Sequence, residues 1–343
     1  MPLLTVEERP FNAETPIGDL SQAITPADLF FVRTHFDIPK LDPSEYRLAV
    51  EDGLRAVAPL TLSEIHALPA RTITATLECA GNGRMLLEPP VPGVRWGFGA
   101  ASTARFTGAS LHHLLERAGI PDSAAEILFV GADSGEVEPG RKVAFERSLP
   151  VSWARHPDTI LAWELNGEPL ASPHGFPLRL VVPRWYAVAS VKWITRIRFL
   201  KEPFQGHFQT EKYRYQSESG IPENSPVAAM RVRALVSRPF HGETLALGRA
   251  EIRGVAWSGE APIRDVEVSF DGGGSWQRAD LERPSSEHSW TPWHIDWTPP
   301  SPGDYAIVSR ATDAAGNTQP PSQAWNAQGY GNNAVQRVDV RIR

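Results

Sequence analysis

Apolar residues in the first two thirds of the chain form short runs that predict strands far more often than helices. Helical spacing appears in GASLHHLLERAGI (108–120), where Gly119 would end the helix, and in TLSEIHALPA (61–70), with Thr61 or Ser63 as N-cap. Six runs are typical of strands: YRLAVEDG, RTITATLEC, AEILFVGAD, TILAWELNG, FPLRLVVP and SVKWITRIRFL. Because strands and short helices mix without regular βαβ alternation, the pattern predicts an α+β fold.

The pattern changes at about residue 235. Short alternating strands such as GRAEIRGVAWSG and GDYAIVSRATDAAGN follow one another, separated by Gly, Pro and Asp turns, which predicts an antiparallel β-sandwich. A polar, proline-containing connector at 218–230 separates the two patterns, so we predict domains at 1–225 and 226–343. SFDGGGSW (269–276) fits the Asp-box turn of β-propellers, but it occurs once and therefore predicts a structural turn.

Composition and charge narrow the class of protein. The 343 residues carry a formal net charge of -6, which argues against a nucleic acid or an anionic membrane as partner. No run approaches the roughly 18 apolar residues of a membrane helix. The first residues are acidic where a secretory signal would be basic, so we expect a cytoplasmic protein, and a periplasmic one only if a leader had been removed.

The chain has one cysteine, in TLECAGNGR (76–84), where a predicted strand runs into a glycine turn. A single thiol excludes an intramolecular disulfide, but it is compatible with a nucleophile, a soft metal ligand or a small buried hydrophobe. Arg84 is expected to lower the pKa of the Cys79 thiol. Gly81 and Gly83 are expected to leave room for a bulky cofactor.

Several spaced motifs carry a family resemblance. They are TLECAGNGR with VRWGFGAASTARFTGASLHHLL, FFVRTHFDIP, LAWELNGEPL, HGFPLRLVVP, SVKWITRI and the tail ATDAAGNTQP…WNAQGYGNNAV. In this order they resemble the sulfite oxidase family, which includes assimilatory nitrate reductases. The resemblance covers nearly the whole chain, and it implies a haem-free molybdopterin domain followed by an immunoglobulin-like dimerisation domain.

The resemblance implies roles for five residues near the metal. Cys79 would be the only protein ligand of molybdenum, beside the dithiolene of one molybdopterin. Arg33 and Arg84 would flank the substrate oxyanion, for which guanidinium groups are well shaped. Trp96 would wall the pocket, and Tyr213 would assist oxygen and proton transfer. Taken alone, Trp96 is more typical of core packing than of a pocket wall, and Tyr213 could belong to a surface ribbon.

Five further residues match family positions around the pterin and its phosphate: His35, His174, Arg179, Ser190 and Lys192. A lysine after a turn of small residues suits a phosphate, which needs a fixed cation and backbone N–H groups. His174 before Gly-Phe-Pro could equally cap a turn.

The chain departs from the family at the substrate pocket. WNAQG places Gln328 where WNLRG of sulfite oxidases supplies an arginine, and nitrate reductases also lack that arginine. Gly83 stands where the family often has a basic residue, and Thr34 stands where it often has Asn. Ala189 takes a position that often holds an arginine.

We therefore predict a molybdenum-dependent enzyme that oxidises sulfite to sulfate by oxygen-atom transfer. The first alternative keeps the cofactor and changes the substrate to nitrate, a sulfoxide or another small oxyanion. The second is a binding or adhesion protein with a degenerate first domain. The expected partners are a separate electron acceptor, such as a c-type cytochrome or oxygen, and a second copy of the chain in a homodimer.

Overall fold

Strands dominate the N-terminal part of the protein, in a computed structural model that describes residues 2–216 and 222–343. The first part of the predicted connector lies outside the described residues. The strands of this part are β1 (Leu4–Glu7), β2 (Asn12–Glu14), β3 (Leu48–Glu51), β4 (Val57–Leu60), β5 (Ala70–Glu78), β6 (Ala101–Ser110), β7 (Glu126–Glu138), β8 (Arg141–Pro150), β9 (Ile160–Leu165), β10 (Glu168–Pro169), β11 (Arg179–Val181) and β12 (Ile194–Leu200).

Two five-stranded sheets contain ten of these strands, and β1 pairs with β2 in a separate two-stranded sheet. One has the order β10-β9-β6-β5, with β11 also paired to β9, and all its pairs are antiparallel. The other has the order β4-β3-β12-β7-β8 and contains a parallel pair, β3 with β12. The mixed, sheet-rich arrangement confirms the predicted α+β class and the absence of regular βαβ units in this part of the described chain.

The helices are short: α1 (Leu62–His66), α2 (Leu111–Ala118) and α3 (Val151–Ala154). Thr61 is the N-cap of α1, since its hydroxyl accepts the Glu64 N–H in a capping box. Helix α2 begins at Leu111 rather than Gly108, because residues 108–110 continue β6, and it ends at Gly119 with a φ of 71°. The remaining turns are 3-10 segments at Ile17–Ser21, Ala27–Leu29, Arg84–Leu86, Ser172–His174 and Ala187–Ala189, and a π-helical turn at His207–Glu211.

The C-terminal part contains two packed sheets, as the alternating pattern predicts. The strands from residue 214 onward are β13 (Arg214–Tyr215), β14 (Ser225–Pro226), β15 (Arg233–Arg238), β16 (Thr244–Leu245), β17 (Ala250–Trp257), β18 (Ile263–Ser269), β19 (Gln277–Arg278), β20 (Asp280–Leu281), β21 (Thr291–Trp297), β22 (Gly303–Asp313) and β23 (Arg337–Ile342). The two sheets have the orders β15-β17-β21-β20 and β16-β23-β22-β18-β19, and a buried apolar cluster that includes Ile252, Trp293 and Val340 lies between them. The short strand β16 pairs in parallel with β23, so the sandwich is not entirely antiparallel as predicted.

The Asp-box-like sequence forms a structural turn between β18 and β19, as predicted. The Asp271 carboxylate accepts hydrogen bonds from the backbone N–H of Ser275, at 2.9 Å, and from its hydroxyl, at 2.7 Å. Within the described residues, no helix is both long enough and apolar enough to cross a membrane.

Candidate molybdenum and oxyanion site

Cys79 directly follows β5, whose nine residues pair with β6 from Ala70↔Ala109 to Glu78↔Ala101. The Cys79 N–H donates to the Ala100 carbonyl at 2.8 Å, which extends this ladder by one residue. The chain then turns, and the Asn82 N–H donates to the Cys79 carbonyl at 2.9 Å. The thiol is therefore held at the end of a rigid sheet, where a loop can present it to a cleft.

The C-terminal part of the chain fastens the cysteine turn from the far side. The buried Glu78 carboxylate accepts hydrogen bonds from Arg233 Nη1 at 2.8 Å, Trp257 Nε1 at 2.9 Å and Asn82 Nδ2 at 3.1 Å. In addition, the Gly331 N–H donates to the Ala80 carbonyl at 2.7 Å. Sequence reasoning missed these contacts, because Arg233 and Trp257 lie 155 and 179 positions from Glu78 in the chain.

The glycines around Cys79 accommodate arginines, and the expectation that Gly81 and Gly83 leave room for a cofactor stays a prediction. A Cβ on Gly81 would lie 2.8 Å from Arg84 Cζ, and one on Gly93 would lie 2.7 Å from Arg84 Nη1. Gly83, with a φ of 81°, leaves space in the same way for Arg233 Nη2. At each of these glycines, the space that a Cβ atom would fill is occupied by an arginine guanidinium group.

Two connected clefts meet at Cys79. The inner cleft, with an empty volume of about 620 Å³ up to its open mouth, is lined by Arg33, His35, Cys79, Asp133, His174, Arg179, Ser190, Lys192 and Tyr213, among others. The outer cleft, of about 1070 Å³, shares Arg33, His35, Cys79 and Tyr213 and adds Glu7, Arg84, His207, Lys212, Gln328 and Tyr330. Every predicted site residue except Trp96 therefore lines one cleft or both.

Trp96 is fully buried in the apolar cluster that also contains Cys79. Its indole N–H has no hydrogen-bond partner among the residues that the structure describes. The side chain packs behind the clefts rather than along them, and its predicted role as a pocket wall stays a prediction.

Two arginines, Arg33 and Arg84, bring positive charge to the cleft lining that contains Cys79. Arg84 is buried, with Nη1 donating to the Val94 carbonyl at 3.2 Å and Nη2 to the Gln328 carbonyl at 3.0 Å. Its Nε is buried and has no partner within the described residues. Arg33 donates to the side-chain oxygen of Asn12 at 3.3 Å and to the Thr34 carbonyl. Both arginines can attract an anion that enters the outer cleft.

Tyr213 is buried, so the alternative that it lies on a surface ribbon was wrong. Its hydroxyl lies 2.6 Å from His35 Nε2, and its ring stacks on Tyr330 with 4.8 Å between centroids. The backbone at Tyr213 has a φ of 58°, an uncommon conformation for a bulky residue that the surrounding contacts hold in place. Burial raises the pKa of the Tyr213 hydroxyl, which keeps it protonated and able to donate.

Burial raises the pKa of the Cys79 thiol, although Arg33 and, more weakly, Arg84 act in the opposite direction. The expectation of a lowered pKa was therefore wrong for the protein alone, because desolvation outweighs both guanidinium charges. A bound cation such as a metal would favour the thiolate by its own charge.

Two cationic side chains, Lys192 and Arg179, lie side by side in the lining of the inner cleft. Lys192 Nζ donates to the Pro173 carbonyl at 2.7 Å, and Arg179 Nη1 donates to the His174 carbonyl at 3.0 Å. Burial, together with the charge of Arg179, holds the pKa of Lys192 well below its usual range, and burial lowers the pKa of Arg179 to about 10. A phosphate placed here would relieve the cost of burying two like charges.

Asp133 also lines the inner cleft, and sequence reasoning missed it. Burial raises the pKa of its carboxyl group, while the charge of Lys192 opposes that shift. One of its oxygens is buried without a partner in the described part of the chain. The signal in the sequence was an acidic residue at the end of the apolar run AEILFVGAD, at a position where a buried strand should continue.

The donor set fits a molybdopterin centre. A buried thiol supplies the soft ligand, Arg179 and Lys192 supply charge for a phosphate, and unpaired polar atoms of Asp133 and Arg84 face or flank the clefts. The neutral His174 and Ser190 complete the polar lining.

The buried His174 predicts a dependence of stability on pH. Burial, followed by the charges of Lys192 and Arg179, lowers the pKa of His174 to about 3. Between the unfolded value near 6.5 and about 3, the unfolded chain binds a proton that the folded chain does not, so stability is lost as the pH falls. The free energy of unfolding of the cofactor-free protein should fall by about 1.4 kcal/mol per pH unit for this group.

Urea unfolding at pH 7, 6, 5 and 4 checks this prediction. His174→Gln should reduce the slope, whereas His113→Gln, at an exposed site, should leave it unchanged. Equal slopes for wild type and His174→Gln would show that the buried imidazole is not neutral.

Two family profiles match the chain. Residues 35–208 match the oxidoreductase molybdopterin binding domain, and residues 224–343 match the Mo-co oxidoreductase dimerisation domain. The first match includes every predicted cofactor-binding residue, and the second begins within the polar connector.

Individual relatives extend over nearly the whole chain. Mitochondrial sulfite oxidase of Homo sapiens is 37% identical over 98% of this chain, and the match spans 65% of that protein. Sulfite oxidase of Arabidopsis thaliana is 33% identical over 98% of this chain and 93% of its own length. The solved structure of the sulfane dehydrogenase SoxCD from Paracoccus pantotrophus matches with a TM-score of 0.83 and 29% identity, over 97% of this chain and 85% of that one. The chain thus spans slightly less than two thirds of the mitochondrial relatives.

Proposed function

Because the chain belongs to the sulfite oxidase family of molybdopterin-dependent oxidoreductases, we propose that it oxidises sulfite to sulfate at a molybdenum–molybdopterin centre. The observation that carries the proposal is the position of Cys79. Its thiol lies where the cationic inner cleft meets an outer cleft that contains two arginines. That junction suits a soft metal ligand next to an anion site.

The inner cleft would hold the pterin and its phosphate. Arg179 and Lys192 provide fixed cations for the phosphate, and Ser190 and His174 provide neutral polar contacts. Asp133 provides an acceptor for ring N–H groups of the pterin. Cys79 would ligate the metal through its thiolate.

The outer cleft would position the substrate. When bound, the metal centre supplies oxygen-atom transfer and stores the two electrons released as sulfite and water become sulfate and two protons. Arg33 and Arg84 would orient the anion and offset its charge. Tyr213, hydrogen bonded to His35, would hold or pass a proton at its hydroxyl oxygen. A separate acceptor, a c-type cytochrome or oxygen, would receive the electrons.

The C-terminal sandwich would be immunoglobulin-like and would pair two copies of the chain. Its two facing sheets and its match to the dimerisation profile support this part of the proposal.

A second candidate function keeps the cofactor and takes nitrate or another small oxyanion. It is favoured by Gln328, a neutral residue in the outer cleft whose Nε2 donates to the Glu211 carbonyl at 3.0 Å. A cleft wall without positive charge at this position would favour a dianion such as sulfite less strongly over a monoanion such as nitrate.

Steady-state assays separate the two functions. Fully molybdenum-loaded protein is given sulfite with an oxidising artificial acceptor and, in parallel, nitrate with a reduced dye. The proposal predicts that sulfite turnover exceeds nitrate turnover by at least about 100-fold, or roughly 3 kcal/mol of activation free energy. Nitrate turnover without sulfite turnover would establish the second function instead.

A further inference from the structure

Lys212 is a cation in the outer cleft to which neither the family resemblance nor the comparisons assign a role. It lines this cleft together with Arg33, Arg84 and Tyr213. Its side chain is exposed, and its Nζ has no hydrogen-bond or ion-pair partner within residues 2–216 and 222–343. The donors of Lys212 are therefore available to a ligand.

The arginines deeper in the cleft are differently placed. Both terminal nitrogens of Arg84 already donate to backbone carbonyls, those of Val94 and Gln328. Arg33 donates to Asn12 and to the Thr34 carbonyl. Their charge still reaches the clefts. The ammonium group of Lys212, in contrast, has three N–H donors, and no contact with a described residue uses them.

The segment that carries Lys212 is fixed rather than loose. The Lys212 N–H donates to the His207 carbonyl at 2.9 Å and closes the π-helical turn His207–Glu211. Arg147 donates to the Phe208 carbonyl in the middle of the turn, and Gln328 Nε2 donates to the Glu211 carbonyl at its end. Single π-helical turns are frequently found at functional sites.

The acids near Lys212 have partners of their own. Lys212 also lines a neighbouring groove with Glu136, Glu138 and Glu211. Glu136 accepts a hydrogen bond from the Gly140 N–H at 3.3 Å, and the Glu138 carboxylate lies 3.8 Å from Arg141 Nη1. Glu211 is engaged by Arg141 and by His207 Nδ1, and these hydrogen bonds lower its pKa to about 2. Glu7, the one acid that lines the outer cleft, accepts from Asn12 Nδ2 at 2.9 Å. The charged groups that line the outer cleft are Glu7, Arg33, Arg84 and Lys212. The cleft therefore carries an excess of positive charge, although the net charge of the whole chain is -6.

We propose that Lys212 contacts the incoming small oxyanion and determines the affinity of the outer cleft for dianions. The inference rests on the proposed function for the identity of the substrate. The net negative charge of the chain repels a dianion at long range, so a cation at the mouth is needed to raise its local concentration. Lys212 immediately precedes Tyr213, so the same rigid turn would present the anion site and the hydroxyl that faces His35.

Two measurements on the molybdenum-loaded protein test this role. The first is the dissociation constant of sulfate, a dianion of the same charge as sulfite, by calorimetry at 20 mM and 300 mM salt. The second is the KM for sulfite in the same buffers. Lys212→Met should raise both constants about fivefold at low salt, with kcat within twofold of wild type, and should flatten their salt dependence. Lys212→Arg should restore both constants to within twofold.

Lys201→Met is the matched control, because Lys201 is exposed and lines neither cleft. It should leave both constants unchanged. A sulfate dissociation constant for Lys212→Met equal to that of wild type at 20 mM salt would overturn the role of Lys212. Weaker sulfate binding by Lys212→Met in a protein that does not oxidise sulfite would support the anion contact and contradict the proposed function alone.

Discussion

Replacement of Cys79 by serine is expected to lower kcat for sulfite by on the order of 1000-fold, or about 4 kcal/mol of activation free energy. Serine has nearly the same size, but its hydroxyl remains protonated near neutral pH and is a hard ligand, so it cannot replace a soft thiolate at molybdenum. The position is buried and lies directly after β5, where a polar atom of similar volume can be accommodated.

The control for this prediction is the stability of the fold. The variant should unfold within a few degrees of wild type when both proteins are cofactor-free, because Cys79 Sγ makes no disulfide. Its molybdenum content should fall, or the bound metal should lose one sulfur neighbour in its X-ray absorption spectrum. A serine variant with full turnover and an unchanged absorption spectrum would contradict the assignment of Cys79 as ligand.

Replacement of Arg233 by methionine should destabilise the protein by about 3–5 kcal/mol. Arg233 and Glu78 form a salt bridge at 2.8 Å with their side chains 1% and 2% exposed, so the variant leaves a carboxylate buried without its cation. The same change should lower activity, because Glu78 directly precedes Cys79 and anchors its turn to the C-terminal sandwich. Urea unfolding and the kcat for sulfite, measured on the same preparations, check both effects.

A second substitution separates charge from packing. Glu78→Gln in the Arg233→Met background removes the unpaired charge and should restore part of the lost stability. Arg253→Met, which breaks the exposed pair with Glu251 on β17, should change stability little. If Arg233→Met were as stable as wild type, the anchoring of the cysteine turn by the sandwich would be refuted.

Much of the fold follows from local patterns in the sequence. The run RTITATLEC covers all of β5 except its first residue, Ala70. Gly119 ends α2 because only a residue without a Cβ adopts its backbone conformation cheaply. The hydrophobic pattern changes from mixed strand-like and helical runs to short alternating strands, and this change matches the two parts of the structure. These features are local, so neighbouring residues suffice to predict them.

The parts of the site that escaped prediction depend on distant residues. Arg233 lies 155 positions from Glu78, and nothing in either local sequence indicates the other. The purpose of Gly81 and Gly93 became visible only when the position of the Arg84 guanidinium was known. The raised pKa of the Cys79 thiol likewise depends on how completely the tertiary structure excludes water.

The family resemblance, in contrast, indicated many of the residues that line the two clefts without knowledge of distances, although it missed Asp133. What it left open is the substrate, because Gln328 replaces a charged residue of sulfite oxidases. The alternative of a binding protein with a degenerate first domain predicts that no metal is bound. It is disfavoured because Cys79, Arg33, Arg84 and Tyr213 all line the clefts.

The most direct test of sulfite oxidation at a molybdenum centre is a single turnover without an electron acceptor. Anaerobic, oxidised, molybdenum-loaded protein is mixed with excess sulfite and quenched, and sulfate is measured by ion chromatography. The account predicts sulfate in stoichiometric amount with the bound molybdenum, formed in wild type and not in Cys79→Ser. Sulfate no higher than in a protein-free blank, from protein of full metal content, would contradict it.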